Sequence, residues 1–549
     1  MDQRRHAQHV QLSGDAQVKR LIVIPAILLA LAFAALPPSH AQGLDNFSVL
    51  NDPPTGMWPS YNGDYSGRRF SPLTQINDKN VNSLALAWAF QTDARSLETM
   101  PLEVNGIMYI TAGNEIWAVD ALTGRQIWHF VNGRPGGSNK GAAMYHDKLY
   151  MTTPDDKLLC VGAKDGKLLW QISIDDPTLK AFGGSAPLVV KNHIIVGTGG
   201  DTADLPGFLL AVDPDTGKIQ WRFDVMPKPN DPAWNTWPHD TDVVTRGGGM
   251  TWITGTYDPQ LNLLYWGTGN PHPVENGAAR LGANLYTCSV VALDPDTGKL
   301  IWYFQGSPHD THDWDMNMTP VLFNATFGGK SRKLLAQAGK NGMFFVLDRT
   351  NGKALISESF VKTNWYSGLN KRGEPIPDPA REPQPDGTLV WGGAGTDWQA
   401  PSFDPQTGLF YVNAQETLGV FYLTMPGIHA EGWAGRDFFL YSKPMMKAID
   451  YQTGKIRWVH DYPGRGGLVG ILSTAGHLVF TGDSYDDVIG LDAGTGKTVW
   501  HAFVGGSMST APESYELFGR QYLIFPAGGT VYAFALPNRR PDTEKMAGN

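Results

Sequence analysis

Cysteine is nearly missing from this chain, with only Cys160 and Cys288 among 549 residues. That scarcity excludes a disulfide scaffold. Both residues lie in strand-like runs and read as buried apolar thiols. No C-x-x-C-H motif occurs, which excludes a covalently attached haem. Basic charge is also short: 44 Lys and Arg stand against 53 Asp and Glu, a formal net charge of −9. That balance argues against a nucleic-acid partner. A membrane span is equally hard to find. The apolar run from Leu21 to Leu36 has sixteen residues, short for a crossing helix. Lys19 and Arg20 precede it, and Ser39 and Ala41 occupy small-residue positions after it. The pattern predicts a secretory signal peptide over residues 1–41, cleaved after Ala41, rather than a membrane anchor. Removing it takes away four basic and two acidic side chains and moves the charge from −9 to −11.

What the chain has in abundance is Gly, with 63 residues, and Trp, with 18, and both recur in register. Seven segments carry a lead residue, a Gly four positions later and a large apolar residue eight positions later. The lead positions are Asp120, Gly162, Asp213, Asp294, Asp348, Asp450 and Asp492. The last positions are Trp128, Trp170, Trp221, Trp302, Ile356, Trp458 and Trp500. An apolar run, a D-x-x-T-G turn and a second run ending in Trp describe a β-hairpin, whose Gly supplies the positive φ of the turn. One hairpin cannot bury both its faces, so the units must stack on one another. Units of this length closing a ring predict an all-β, eight-bladed β-propeller with Trp contacts between blades. The eighth blade is expected to join LALAWAF, around Trp88, to GGTVYAFALP, around Tyr532, over a single domain of residues 42–549. Seven blades is the alternative. Lead positions fall 42, 51, 81, 54, 102 and 42 residues apart, so functional loops belong in the longer gaps.

Those gaps hold GGGMTWITG, GTGNP, PHDTHDWD and KNG, in that order. From WPSYNGDYSGRRF, near residue 58, to GRQYLIFPAGGTVYAFALP, the sequence resembles the quinoprotein alcohol dehydrogenases. These are periplasmic eight-bladed propellers that use pyrroloquinoline quinone (PQQ). The resemblance implies a metal site of oxygen donors, Asp201, Asn270, Asp313 and Asp315. Such a set suits Ca²⁺ rather than a soft metal. Asp313 is implied as the catalytic base. Members that use lanthanides also carry a second Asp two residues after the base, as Asp315 stands here. Three carboxylates around one ion favour a higher cation charge; a turn-capping role for Asp315 with Ca²⁺ is the rival reading.

For the quinone, the resemblance implies Trp252 as the stacking floor and Lys340 as the basic group at the reactive edge. It adds Glu98, Lys140, Gly199, Gly200, Asp397 and Trp398 as further contacts. Several positions depart from the family. Lys140 replaces an Arg and so loses bidentate geometry. Asp201 replaces a Glu, Asp397 an Asn and Leu468 a Trp. Arg134 and Pro135 stand where many relatives carry adjacent cysteines, so a vicinal disulfide is impossible. His309 and His312 read as hydrogen-bonding groups of the loop rather than ligands.

The implied reaction is oxidation of an alcohol to an aldehyde or ketone, with Asp313 accepting the hydroxyl proton. Because the chain has no haem site, electrons are expected to pass to a separate soluble cytochrome c. The alternatives are a sugar or polyol dehydrogenase on the same site, and a non-catalytic binding propeller of the cell envelope.

Overall fold

The computed structural model describes residues 50–537, apart from 51–52, 54, 134–136, 138, 177–183, 201–203, 465–467, 484 and 486. The expected signal segment, Arg134, Pro135 and Asp201 therefore lie outside the described residues. No helix among those described is long and apolar enough to cross a membrane.

The described strands assemble into eight sheets of four or five strands, antiparallel except where Phe70–Ser71 pairs in parallel with Leu472–Thr474, plus one two-stranded ribbon. Most sheets follow chain order, as in Leu102–Val104, Ile107–Ala112, Glu115–Asp120 and Gln126–Val131. One sheet joins the two ends of the chain. Ala85–Gln91 pairs with Thr530–Ala535 and becomes the fourth strand after Glu513–Leu517 and Arg520–Ala527. Ala85–Gln91 is the outer strand of that sheet, so pairing it with Thr530–Ala535 holds the two ends of the chain together. First strands such as Leu188–Val190 are buried throughout, whereas fourth strands such as Leu168–Ser173 alternate exposed and half-buried residues. The first strands therefore line the interior, and the fourth strands face outward.

The repeated Gly and Trp explain how the sheets adhere. Gly124, with φ of 72°, donates to the Asp120 carbonyl at 2.8 Å, while the Asp120 carboxylate accepts from two turn amides. Each turn Gly packs against the large residue of the preceding sheet. A Cβ at Gly124, Gly166, Gly217, Gly298, Gly352 or Gly496 would lie 3.1 Å or less from the ring of Trp88, Trp128, Trp170, Trp221, Trp302 or Trp458. Gly454 meets Ile356 in the same way. The indole nitrogens then bond across the seam: Trp221 Nε1 donates to the Pro295 carbonyl at 2.8 Å and Trp458 Nε1 to that of Ala493 at 3.1 Å. Trp500 packs on Phe525 and Phe534 of the sheet that contains Trp88, which returns the series to its start. Both cysteines are buried and unpaired.

Candidate active site

The topology places the expected site residues at one end of the strands. Glu98, Lys140, Trp252, Asp313, Asp315, Asp397 and Trp398 precede the first strand of a sheet. Gly199, Gly200, Asn270 and Lys340 follow a second strand. In an antiparallel sheet those two positions share an edge. The D-x-x-T-G turns, between third and fourth strands, lie at the opposite edge.

Two clusters form there. In the first, Lys340 Nζ lies 2.5 Å from Asp313 Oδ2. Burial alone would lower the pKa of Lys340. The nearby charges of Asp313, Asp397 and Asp315 outweigh burial and hold it well above the ordinary value. Gly395 N donates to the Lys340 carbonyl at 2.7 Å, and its own Cα has no room for a side chain against Gly342. This close approach seats the GAGTDW loop on the KNG loop and brings Asp397 into range of Lys340.

The second cluster is built around Lys140. Its ammonium lies 2.6 Å from Glu98 Oε2, 3.4 Å from the Trp398 ring centroid and 5.7 Å from that of Trp252. Burial lowers the Lys140 pKa, with Glu98 and Asp397 pulling the other way. Asp397 is thus flanked by two ammonium groups. The repulsion that a carboxylate at this position threatens is offset from both sides.

Asp315 couples the loops. Its Oδ1 accepts from the Asn270 backbone N–H at 2.6 Å and its Oδ2 from the Trp252 indole at 3.2 Å. The rear of Trp252 rests on Gly184, where a Cβ would meet Trp252 Cβ at 2.8 Å. Asn270 and Asp315 are buried, and Asp313 adopts φ of 63°, a conformation Asp tolerates better than most residues. Among the described residues no three His, Cys, Asp or Glu side chains form a ligand cluster; the third expected carboxylate, Asp201, is not among them.

Sequence reasoning missed two members. Asp310 accepts from the His312 and Trp314 backbone amides at 3.1 and 3.0 Å and so shapes the loop that presents Asp313. Asn317 is 1% exposed, and neither of its amide atoms has a hydrogen-bond partner among the described residues. The i, i+2, i+4 spacing of Asp313, Asp315 and Asn317 was the available signal. His309 bonds the Gly282 carbonyl at 2.7 Å and His312 that of Arg381 at 2.9 Å. Burial lowers their pKa values, to about 4 and about 3 respectively. Leu468 is half-buried.

A family model described as the glucose/ethanol/alcohol dehydrogenase β-propeller domain, with PQQ as its name, matches residues 58–368. Quinohemoprotein alcohol dehydrogenase ADH IIB of Pseudomonas putida is 35% identical, over 91% of this chain and 78% of its own length. The chain belongs to the PQQ-dependent alcohol dehydrogenase family. Quinoprotein alcohol dehydrogenase PedH of Pseudomonas putida is 32% identical, over 96% of this chain and 98% of its own length. The crystal structure of quinohemoprotein alcohol dehydrogenase from Comamonas testosteroni superposes with a TM-score of 0.84 at 31% identity. That match covers 91% of this chain and 84% of the other. A europium-containing methanol dehydrogenase superposes with a TM-score of 0.80 at 27% identity, over 88% and 99% of the two chains. A second model, described as outer membrane protein assembly factor BamB, matches residues 434–538. This family member is a β-propeller, as its repeated hairpins require.

Proposed function

We propose that the chain oxidises an alcohol to an aldehyde or ketone in a PQQ-dependent reaction, with Asp313 as proton acceptor and Lys340 as its partner. The observation that carries this reading is the 2.5 Å contact between Lys340 Nζ and Asp313 Oδ2, beside the Trp252–Asp315–Asn270 chain of hydrogen bonds.

The residues present fit both absent groups. Trp252 and Trp398 are half-buried indoles flanking one ammonium, a suitable cradle for a flat aromatic polycarboxylate. Glu98, Lys140, Gly199, Gly200, Asp397 and Lys340 would complete it. Asn270, Asp313, Asp315 and Asp201 would hold a hard cation through oxygen. Glu98, Asp313, Asp315 and Asp397 put four carboxylates against two ammonium groups, an imbalance that a cation relieves. When bound, PQQ supplies the two-electron acceptor and the cation a Lewis acid.

The chain's own groups do the rest. Asp313 Oδ2 takes the hydroxyl proton of the substrate. Lys340, kept charged by its carboxylate neighbours, favours the ionised form of Asp313 that can accept it. Asp315 fixes the Trp252 floor and the Asn270 loop relative to one another, so both stay in register as substrate enters.

With Asp315 beside Asp313, a lanthanide supports activity at least as well as Ca²⁺; the similarity to a europium-containing enzyme supports this choice. A soluble cytochrome c is the proposed acceptor, since one relative is named 1-butanol dehydrogenase (cytochrome c). The proposed location is the periplasm, reached by the signal sequence. Reconstitution with PQQ and Ca²⁺ or La³⁺, followed by alcohol-dependent dye reduction, tests the reading. Absence of turnover with every combination overturns it in favour of a binding propeller.

A further inference from the structure

Beyond the pairing of Gln415 with Pro444, the strands Leu409–Leu423 and Gly435–Asp450 leave their propeller sheet and run on as a long hairpin. Thr388–Trp391 pairs alongside as a third strand. One face of this small sheet belongs to the core. Val390 and Phe421 are 0% and 1% exposed and pack in one cluster with Trp314.

The other face is open. Leu389, Val420 and Phe438 form one row across the three strands, and Trp391, Leu418 and Tyr441 form the next. Alternation along each strand sets both rows, with Tyr422, on the side away from Val390 and Phe421. Leu389, Phe438 and Tyr441 are 49%, 50% and 43% exposed, and the remaining four are half-buried. The rings lean on one another, with centroids 5.9 Å apart for Trp391 and Tyr441 and 6.4 Å apart for Tyr422 and Phe438. No charged side chain interrupts either row. Together they present on the order of 500 Å² of apolar surface, at about 150–250 Å² for each whole aromatic side chain. Monomers seldom expose so large a patch unless it binds something.

The free edge of the hairpin does not suit strand addition. Residues 435–442 pair with Leu409–Leu423 alone, the extra residue Leu440 bulges the strand, and Lys443 and Pro444 follow. Edge strands are blunted by such features. The flat apolar face is left as the surface that a partner can cover.

We propose that a second copy of this chain covers it, the two small sheets packing face to face about a two-fold axis. Area and composition choose this occupant. Two such faces remove about 1,000 Å² from water before any polar rim is counted, which reaches the size of a specific interface and falls short of an obligate one. Rows without charge match the apolar character of interfaces between identical chains, whereas contacts between different proteins resemble ordinary surface. Arg436 opposes Tyr422 and so stands at one end of the face. Antiparallel strands hold the two Arg436 guanidinium groups at opposite ends; a parallel arrangement would bring like charges together. The dimer is therefore reversible and antiparallel.

Sedimentation velocity of the PQQ- and metal-loaded chain tests this from about 0.1 to 100 µM, the range of reversible association. The wild type should pass from monomer to dimer mass as concentration rises. Phe438→Ser and Leu389→Ser should each weaken the dimer roughly tenfold. Phe518→Ser, at a site 92% exposed outside this face, should leave it unchanged. Hydroxyl-radical footprinting needs no variant: Phe438 and Tyr441 should be protected at high concentration and labelled at low. A monomer at every concentration overturns the dimer and leaves the face to a lipid surface or an electron carrier. A dimer that neither variant weakens, or that leaves Phe438 and Tyr441 labelled, overturns this interface.

Discussion

The Asp315 carboxylate accepts from the Trp252 indole nitrogen at 3.2 Å, so the residue expected at the metal also anchors the expected quinone floor. Asp315→Ala should therefore do two things at once. Activity supported by La³⁺ should fall more steeply than activity supported by Ca²⁺, because the site loses one negative charge. Affinity for PQQ should also weaken, because Trp252 loses its tether. Metal-stripped protein titrated with each ion, and quinone binding followed by fluorescence, check both outcomes. A variant that keeps a lanthanide preference refutes the ligand role.

Asp313→Asn removes the proposed proton acceptor while preserving shape. The expected loss in kcat is about 10²- to 10⁴-fold, the usual worth of a positioned base. Steady-state dye reduction measures it, with quinone binding retained as the sign that the fold survives.

Lys140 loses its proton earlier than an ordinary lysine, because burial lowers its pKa. Affinity for the quinone carboxylates should therefore decline as pH rises through that lowered value. Lys140→Arg keeps its charge and should extend strong binding to higher pH. Equilibrium titration with PQQ between neutral and strongly alkaline pH tests the difference.

Glu103 is buried, and burial raises its pKa from 4.5 to about 8. The native state binds the extra proton between those values. Stability should thus be fully present below about pH 4.5 and fall as pH climbs toward 8, by about 1.4 kcal/mol per pH unit for one such group. Glu103→Gln should flatten this slope and raise the thermal midpoint at pH 8. Melting curves of both proteins across that range decide it.

Two seam tryptophans should respond differently to Phe. Trp221 Nε1 bonds the Pro295 carbonyl at 2.8 Å. Trp170 Nε1 is buried without a partner among the described residues, while the equivalent carbonyl, that of Pro214, accepts from the Tyr150 hydroxyl at 3.0 Å. Trp221→Phe should cost more than Trp170→Phe by about 1 kcal/mol. Chemical denaturation of both variants provides the comparison.

The periodic parts of this molecule were legible in its sequence because periodicity is local. The Gly and Trp positions announce a hairpin and a stacking partner, and the sheets carry both. The site was legible only through resemblance. Within PHDTHDWD, nothing in spacing separates Asp310, which accepts two loop amides, from Asp313, which faces Lys340. The place of Asp397 between two lysines depends on Gly395 meeting Gly342, a contact between loops remote in sequence.

The D-x-x-T-G turns and the proposed reacting groups occupy opposite rims of the same strands. A molecule tethered to an electrode or resin through Lys218 or Lys299, both in those turns, would be held upside down with respect to its chemistry. Its working rim would face open solution, accessible to fuel and to any carrier that collects the electrons.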